Sequence, residues 1–323
     1  MRLTGALGDF DRTRPLLDGR VKVEGFEVEW QTGELESLFS RAFERAELDI
    51  TELSFSNFLI ATAKGGLPYV GLPVFPTRSF RHHALFVRGE AIRSPGDLEG
   101  KRVGLREYTN TASLVLRGIL AGYYGVNLER VRWVVGDVDR HERTAIHLPQ
   151  LPPPYQIVAE RERLLSDLLE AGELDALVAY APPRCLGRAG VRRLFERWWE
   201  EEVRYFGDTG IFPIMHLVVV RRSILEHRPE LAGALFSAFC AAKRLALRDL
   251  ELENAPKTML PWAPGHLAET RRVLGADFWS YGLPANRKVV EAQIGFSRAQ
   301  HLISRDVKAE ELFSASSLEL ADA

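Results

Sequence analysis

Pro73-Val74-Phe75-Pro76-Thr77-Arg78-Ser79-Phe80-Arg81-His82-His83 runs straight into an apolar strand, Ala84-Leu85-Phe86-Val87. Two arginines and two imidazoles crowd one short turn. A guanidinium offers a planar fork of donors that suits a carboxylate, and imidazole is the side chain whose proton moves near neutral pH. The cluster suggests an acid that is bound and then protonated; a solvated basic loop is the plainer alternative. A second stretch has the same layout. Gly207-Asp208-Thr209-Gly210-Ile211-Phe212-Pro213-Ile214-Met215-His216 enters the buried run Leu217-Val218-Val219-Val220. Two such passages about 130 residues apart are what paired crossovers between two lobes look like.

The length of 323 residues exceeds the usual single-core limit and agrees with two lobes. A net charge of -2 provides no global field to gather nucleic acid or an anionic membrane, so neither is expected as a partner. Cys185 and Cys240 have no zinc-ligand spacing and form no disulfide framework, which fits a reducing compartment. The amino terminus reaches Asp9 too early for the apolar core of a secretory signal, and no apolar run is long enough to span a bilayer. The expected location is the cytoplasm. There is no internal repeat, coiled coil or low-complexity tract.

Upstream of the opening stretch, Met1 to Leu7 reads as a strand, and Val21 to Trp30 as a strand pair broken at Glu24-Gly25. Leu35, Leu38, Phe39, Ala42, Phe43 and Ala46 recur at helical spacing. Leu48 to Phe55 reads as a strand carrying Ser54 near its end, after which Ser56-Asn57 are placed to cap a helix over Phe58 to Lys64. This β-α-β order predicts a largely parallel sheet. Downstream, Arg106-Glu107-Tyr108-Thr109-Asn110-Thr111-Ala112-Ser113 passes from strand end to helix start, where open α/β sheets bind ligands. Thr109, Asn110 and Thr111 offer donors where the helix dipole favours negative charge, and Glu107 beside them is suited to act as a base or to orient an imidazole. Gly136 to Arg143 is expected to be a solvated charged loop, Ile157 to Leu169 a helix, Leu174 to Tyr180 a buried strand and Val191 to Tyr205 amphipathic. Long helices follow over Leu231 to Leu250, Leu267 to Gly275 and Arg287 to Ser304.

These blocks together resemble the 4,5-dihydroxyphthalate decarboxylase family. The resemblance rests on PVFPTRSFRH at Pro73 to His82, DLEGKRVGLREYTNTA at Asp97 to Ala112, RGIL at Arg117 to Leu120, TGIFPIMH at Thr209 to His216, and DFWSYG at Asp277 to Gly282 with Asn286-Arg287. It covers nearly the whole chain. It implies an α/β two-lobe fold like that of type 2 periplasmic binding proteins, with a ligand cleft between lobes and a helical C-terminal region. The first lobe is expected from residues 1–84 and 217–323, the second from 85–216. His83, Thr109-Asn110, Asn127-Leu128-Glu129, Gln300-His301 and the loop from Gly136 to Arg143 depart from the family's pattern. Fold is therefore more safely transferred than substrate.

The activity the resemblance implies is loss of carbon dioxide from a hydroxylated aromatic acid such as 4,5-dihydroxyphthalate. The substrate's para hydroxyl supplies electrons once an acid protonates the ring, so no metal or organic cofactor is obligatory. His82 or His216 is the expected proton donor. Arg78 and Arg81 are expected to hold a carboxylate, Glu107 to tune an imidazole or take a hydroxyl proton, and Ser54, Tyr108, Thr109, Thr111 and Thr209 to bind the substrate. Two rivals stand beside this reading: a non-catalytic binding protein for a small anionic metabolite, and another enzyme of the same fold, such as one of menaquinone synthesis. None of the three excludes a homo-oligomer.

Overall fold

The computed structural model describes residues 2–142 and 146–322. The chain forms two compact units: Met1–Arg78, Ile214–Glu291 and Val307–Ala323 make the first, and Ser79–Pro213 with Ala292–Asp306 the second. Against the expected crossovers at 84/85 and 216/217, the chain changes unit at 78/79 and 213/214, and a C-terminal segment belongs with the second unit.

The first unit is built on a five-stranded sheet. Its strands are β1 (Arg2–Leu7), β2 (Glu27–Thr32), β3 (Ile50–Ser54), β4 (Tyr69–Arg78) and β11 (Ile214–Arg221), in the order β2-β1-β3-β11-β4. β1 runs parallel to β2 and β3, while β11 lies antiparallel between β3 and β4. Helices α1 (Arg14–Leu17), α2 (Leu35–Arg45) and α3 (Phe55–Lys64) join the early strands. β3 is buried from end to end because strands flank it on both sides. The 21-residue helix α8 (Glu230–Leu250) buries Leu231, Leu235, Phe239 and Ala242 at helical spacing. Those side chains share one core with Leu3, Leu72, Val74 and Val218 of the sheet. Each fully buried large side chain there contributes about 1.5–3 kcal/mol. α7 (Arg222–His227), α9 (Ala263–Leu274) and the start of α10 (Leu283–Ala299) belong to the same unit.

The second unit holds a six-stranded sheet of β5 (Leu85–Arg88), β6 (Arg102–Leu105), β7 (Arg132–Val135), β8 (Gln156–Ala159), β9 (Ala176–Val178) and β10 (Val191–Arg193). The order is β10-β5-β9-β6-β7-β8, parallel from β9 through β8 and antiparallel at β5 and β10. α4 (Thr111–Gly122) is buried continuously from Thr111 to Leu120. α5 (Leu165–Ala171) packs Leu165, Leu168 and Leu169 against Phe86, Val134 and Leu177 of the sheet. α6 (Trp198–Thr209) completes the unit.

Several local expectations are corrected. The opening stretch is a turn only in its second half: β4 continues through Pro73 and Pro76 to Arg78, and Arg81, His82 and His83 lie in the loop and short 3-10 turn (His82–Ala84) that follow. The two prolines are tolerated because β4 is an edge strand, and its register against β11 shifts around His216. Only Glu27–Thr32 of the expected strand pair is a strand. α3 starts at Phe55, so Ser56 and Asn57 lie inside its first turn, and no side chain caps it. The segment read as a helix from Ile157 to Leu169 is the edge strand β8 followed by α5, and the amphipathic segment from Val191 to Tyr205 is the edge strand β10 followed by α6. The loop after β7 is partly packed: Asp137 is buried, and its carboxylate accepts the Glu142 amide at 3.1 Å. Arg143, at the end of that loop, and Met1 lie outside the described residues. Among the described residues no helix is long and apolar enough to cross a membrane, and no His, Cys, Asp or Glu cluster suits a metal. Both cysteines are buried, and burial pushes their thiols up, Cys185 to about 11 and Cys240 to about 12.

Candidate active site

In an open α/β sheet, ligands sit outside the carboxyl ends of strands where the winding direction reverses. In the first unit the chain leaves β1 for β2 on one side and returns to β3 on the other, so the reversal lies between β1 and β3. Gly8 follows β1 there, and β3 delivers Glu52 and Ser54. Residues two apart on a strand share a face, and directly paired residues do too. His216 pairs directly with Ser54 across β11. Glu52, Ser54 and His216 therefore project together.

Glu52 is fully buried, and both of its oxygens are engaged. One accepts the Gly8 amide at 2.5 Å, and the other lies 2.9 Å from His216 Nδ1. Gly8 must be small here, because a Cβ would come within 2.9 Å of that same carboxylate oxygen. A carboxylate accepts only, so His216 carries a proton on Nδ1 and turns Nε2 away from Glu52. Nε2 has no hydrogen-bond partner among the described residues. The imidazole is 15 % exposed, and the Phe39 ring meets it edge-on at 5.1 Å, which fixes its plane.

The second unit repeats the arrangement. β7 and β8 lie to one side of β6 and β9 to the other, so the reversal lies between β6 and β9. The loop after β6 presents Glu107, whose carboxylate accepts the Thr109 hydroxyl at 3.0 Å. The loop after β9 presents the exposed Tyr180, whose hydroxyl accepts from the Asn110 side chain. The Asn110 side-chain oxygen Oδ1 meanwhile caps α4 by accepting the Ser113 amide at 2.9 Å. The Arg81 guanidinium stands 5.9 Å from the centre of the Tyr180 ring.

The other nominated residues are placed inward. Arg78 is buried, donates to the Ser280 carbonyl at 2.9 Å and to the Asn286 side chain, and lies 5.3 Å from the Phe75 ring centre. Burial pushes its pKa down to about 10, which leaves it cationic at neutral pH. Tyr108 is fully buried under the Arg117 guanidinium, 3.6 Å from its ring centre. Thr111 is buried in the first turn of α4. Thr209 ends α6, donating to the Tyr205 carbonyl at 2.5 Å and accepting the Ile211 amide at 3.2 Å.

His82 is fully buried among Tyr124, Phe195 and Tyr205, with ring centres 5.2–5.9 Å away, and neither of its ring nitrogens has a hydrogen-bond partner. Burial, then the nearby His83 and Arg204, push its pKa from 6.5 to about 4. The folded state thus refuses a proton that the unfolded chain accepts. Stability from this group is full above pH 6.5 and falls as pH drops toward 4, by about 3 kcal/mol in all. His82→Phe removes that acid-side loss, as denaturation midpoints at pH 7 and pH 4.5 will register. A folded His82→Phe protein without turnover would return this imidazole to the chemistry.

Two site residues were missed in the sequence. Glu52 is the one charged residue in a central strand that is buried from end to end, a signal of a buried, paired charge. Tyr180 was passed over as the last residue of a buried run.

No family model matches the chain. It is 39 % identical over 325 residues to the 4,5-dihydroxyphthalate decarboxylase of Comamonas testosteroni, covering 99 % of this chain and 98 % of that protein. It is 37 % identical over 187 residues to a protein of the same name from Pseudomonas putida, covering 57 % of this chain and 72 % of that one. Among solved structures, the periplasmic aliphatic sulphonate binding protein SsuA of Escherichia coli is similar at a TM-score of 0.54 over 97 % of each chain, with 14 % identity. That likeness shows a shared binding-protein fold and nothing about the ligand.

Proposed function

The chain belongs to the 4,5-dihydroxyphthalate decarboxylase family, and from that membership we propose that it releases one carboxylate of 4,5-dihydroxyphthalate as carbon dioxide, with His216 delivering the replacing proton. It is an enzyme, a carboxy-lyase acting on a hydroxylated aromatic acid. Each carboxylate of this diacid stands para to a hydroxyl. When the carbon bearing one carboxylate takes a proton, the para oxygen donates electron density into the ring. The bond to the carboxylate then breaks, its electron pair restores aromaticity, and carbon dioxide leaves with 3,4-dihydroxybenzoate as the other product. One proton enters at carbon and solvent resupplies it. The electrons balance without an oxidant or reductant.

The observation that carries this reading is the buried Glu52 carboxylate on His216 Nδ1 of a partly exposed imidazole, which leaves Nε2 as the nitrogen available for a substrate. An imidazolium held this way has its transferable proton on Nε2. Ser54, on the same face, is suited to orient a ring substituent. Arg81 supplies a guanidinium for a carboxylate, Thr109 and Thr111 hold substituents at the start of α4, and Glu107 receives the hydroxyl proton and returns it. Arg78, Tyr108 and Thr209 act through the backbone they brace.

Incubation with 4,5-dihydroxyphthalate should yield carbon dioxide and 3,4-dihydroxybenzoate in equal amounts, whereas phthalate, with no para hydroxyl, should bind and remain intact. Tight binding of both acids with neither consumed would favour a non-catalytic binding protein.

A further inference from the structure

The motif Arg117 to Leu120 lies within α4, and no role has been given above to any of its four residues. Arg117 is 1 % exposed. Its Nε donates to the Gln300 side-chain oxygen at 2.8 Å, and its Nη2 donates to the Tyr108 carbonyl at 2.7 Å. Gln300 is itself fixed by donating to the Leu114 carbonyl at 3.0 Å. The guanidinium stacks 3.6 Å from the Tyr108 ring centre and lies 5.7 Å from that of Trp133. Nη1 has no hydrogen-bond partner, and among the described residues no carboxylate pairs with the group. Next to it, Gly118 lets the Phe296 ring approach so closely that a Cβ would sit 2.4 Å away.

An unpaired charge in an apolar interior is costly, and an apolar residue of similar volume would serve packing better. Burial lowers the Arg117 pKa, yet a guanidinium remains charged at neutral pH. Its direct bond to the Tyr108 carbonyl puts that charge beneath the backbone from which Glu107, Thr109 and Thr111 project. Screening by water is weak for a charge so enclosed.

We propose that Arg117 is a specificity-determining residue whose buried, uncompensated charge favours dianionic over monoanionic ring acids at the turn between β6 and α4. The inference rests on the proposed reading, since that reading supplies an aromatic diacid as the ligand. Arg117 touches no substrate and acts through the wall.

Calorimetric titration with phthalate and with benzoate tests it without turnover. Arg117→Gln keeps a donor for the Tyr108 carbonyl but removes the charge. It should weaken phthalate binding roughly tenfold or more while changing benzoate binding far less. Arg117→Lys keeps the charge and should hold the phthalate-to-benzoate ratio within about threefold of wild type. Arg117→Met is a second neutral variant, should the glutamine protein fail to fold, and it should also lose the preference while unfolding no earlier than wild type. An unchanged ratio in a folded neutral variant, an equal loss for both acids, or a lysine variant as impaired as the neutral ones would overturn the proposal. So would a wild-type protein that binds neither acid. A wild type that prefers phthalate but leaves 4,5-dihydroxyphthalate unreacted would defeat the decarboxylase reading while sparing this one.

Discussion

His216→Asn is expected to reduce turnover of 4,5-dihydroxyphthalate by about 100- to 10,000-fold while leaving phthalate affinity within about threefold. The amide still meets Glu52 and fills part of the ring's volume, so the fold should survive, but no group remains at Nε2 to carry a proton. Glu52→Gln probes the same pair from its buried end. A glutamine oxygen can still accept the Gly8 amide, while its NH2 faces Nδ1 and forces the opposite tautomer on the imidazole. Orientation without the correct tautomer should cost turnover about 100-fold or more, by the same logic that governs carboxylate–histidine pairs in hydrolases. Equal losses of binding and rate in both variants would point to a structural role. Rate loss with binding retained assigns the pair to catalysis.

The largest stability effect is expected far from this chemistry, at Lys243→Met. Lys243 is 4 % exposed on α8, and its ammonium meets Asp277 at 2.9 Å, the Trp279 carbonyl at 3.0 Å, the Asp322 carboxylate, and the Tyr281 ring at 5.1 Å. Asp322 is just as enclosed, with 5 % side-chain exposure, and a second cation, Arg244, stands at 3.6 Å from it. Removing the ammonium strands a buried carboxylate, for which the cost is about 3–5 kcal/mol. That is a large part of the 5–15 kcal/mol that holds a typical domain together. Adding Asp322→Asn should recover most of the loss, because the buried carboxylate that lost its partner is then replaced by a neutral amide. Chemical denaturation of the single and double variants measures both effects. No recovery in the double variant would mean that packing of the lysine stem, and not the stranded charge, sets the cost.

The sequence was legible where one physical cause dominated. Apolar runs bounded by polar residues marked β3, β6, β7 and β11, and the spacing of Leu231, Leu235 and Phe239 marked α8. It was misleading at sheet edges. The end of β4 carries two prolines and reads as part of a turn, yet an edge strand facing a shifted register on β11 needs fewer amides than a central one. β8 and β10 are short edge strands of mixed polarity; the charged neighbours of β8 pulled its reading toward helix, and β10 was not separated from the amphipathic segment that contains it. The same error affected the site. Once β4 runs on to Arg78, that arginine is committed to Ser280 and Asn286, and His82 turns into an aromatic shell. His216 was identifiable because it directly precedes the buried apolar run Leu217 to Val220. Glu52, its partner, lies 164 positions earlier, and no local pattern links residues so far apart. Only the pairing of β11 with β3 brings them together.

The most direct measurement is the decarboxylation run in deuterium oxide, with the aromatic product examined by proton NMR beside a count of carbon dioxide. Proton delivery to the carbon that loses its carboxylate predicts one deuterium at that position and one carbon dioxide for each substrate consumed, with both signals nearly abolished in His216→Asn. Deuterated product formed at the wild-type rate by His216→Asn, or bound substrate that never loses carbon dioxide, would contradict it.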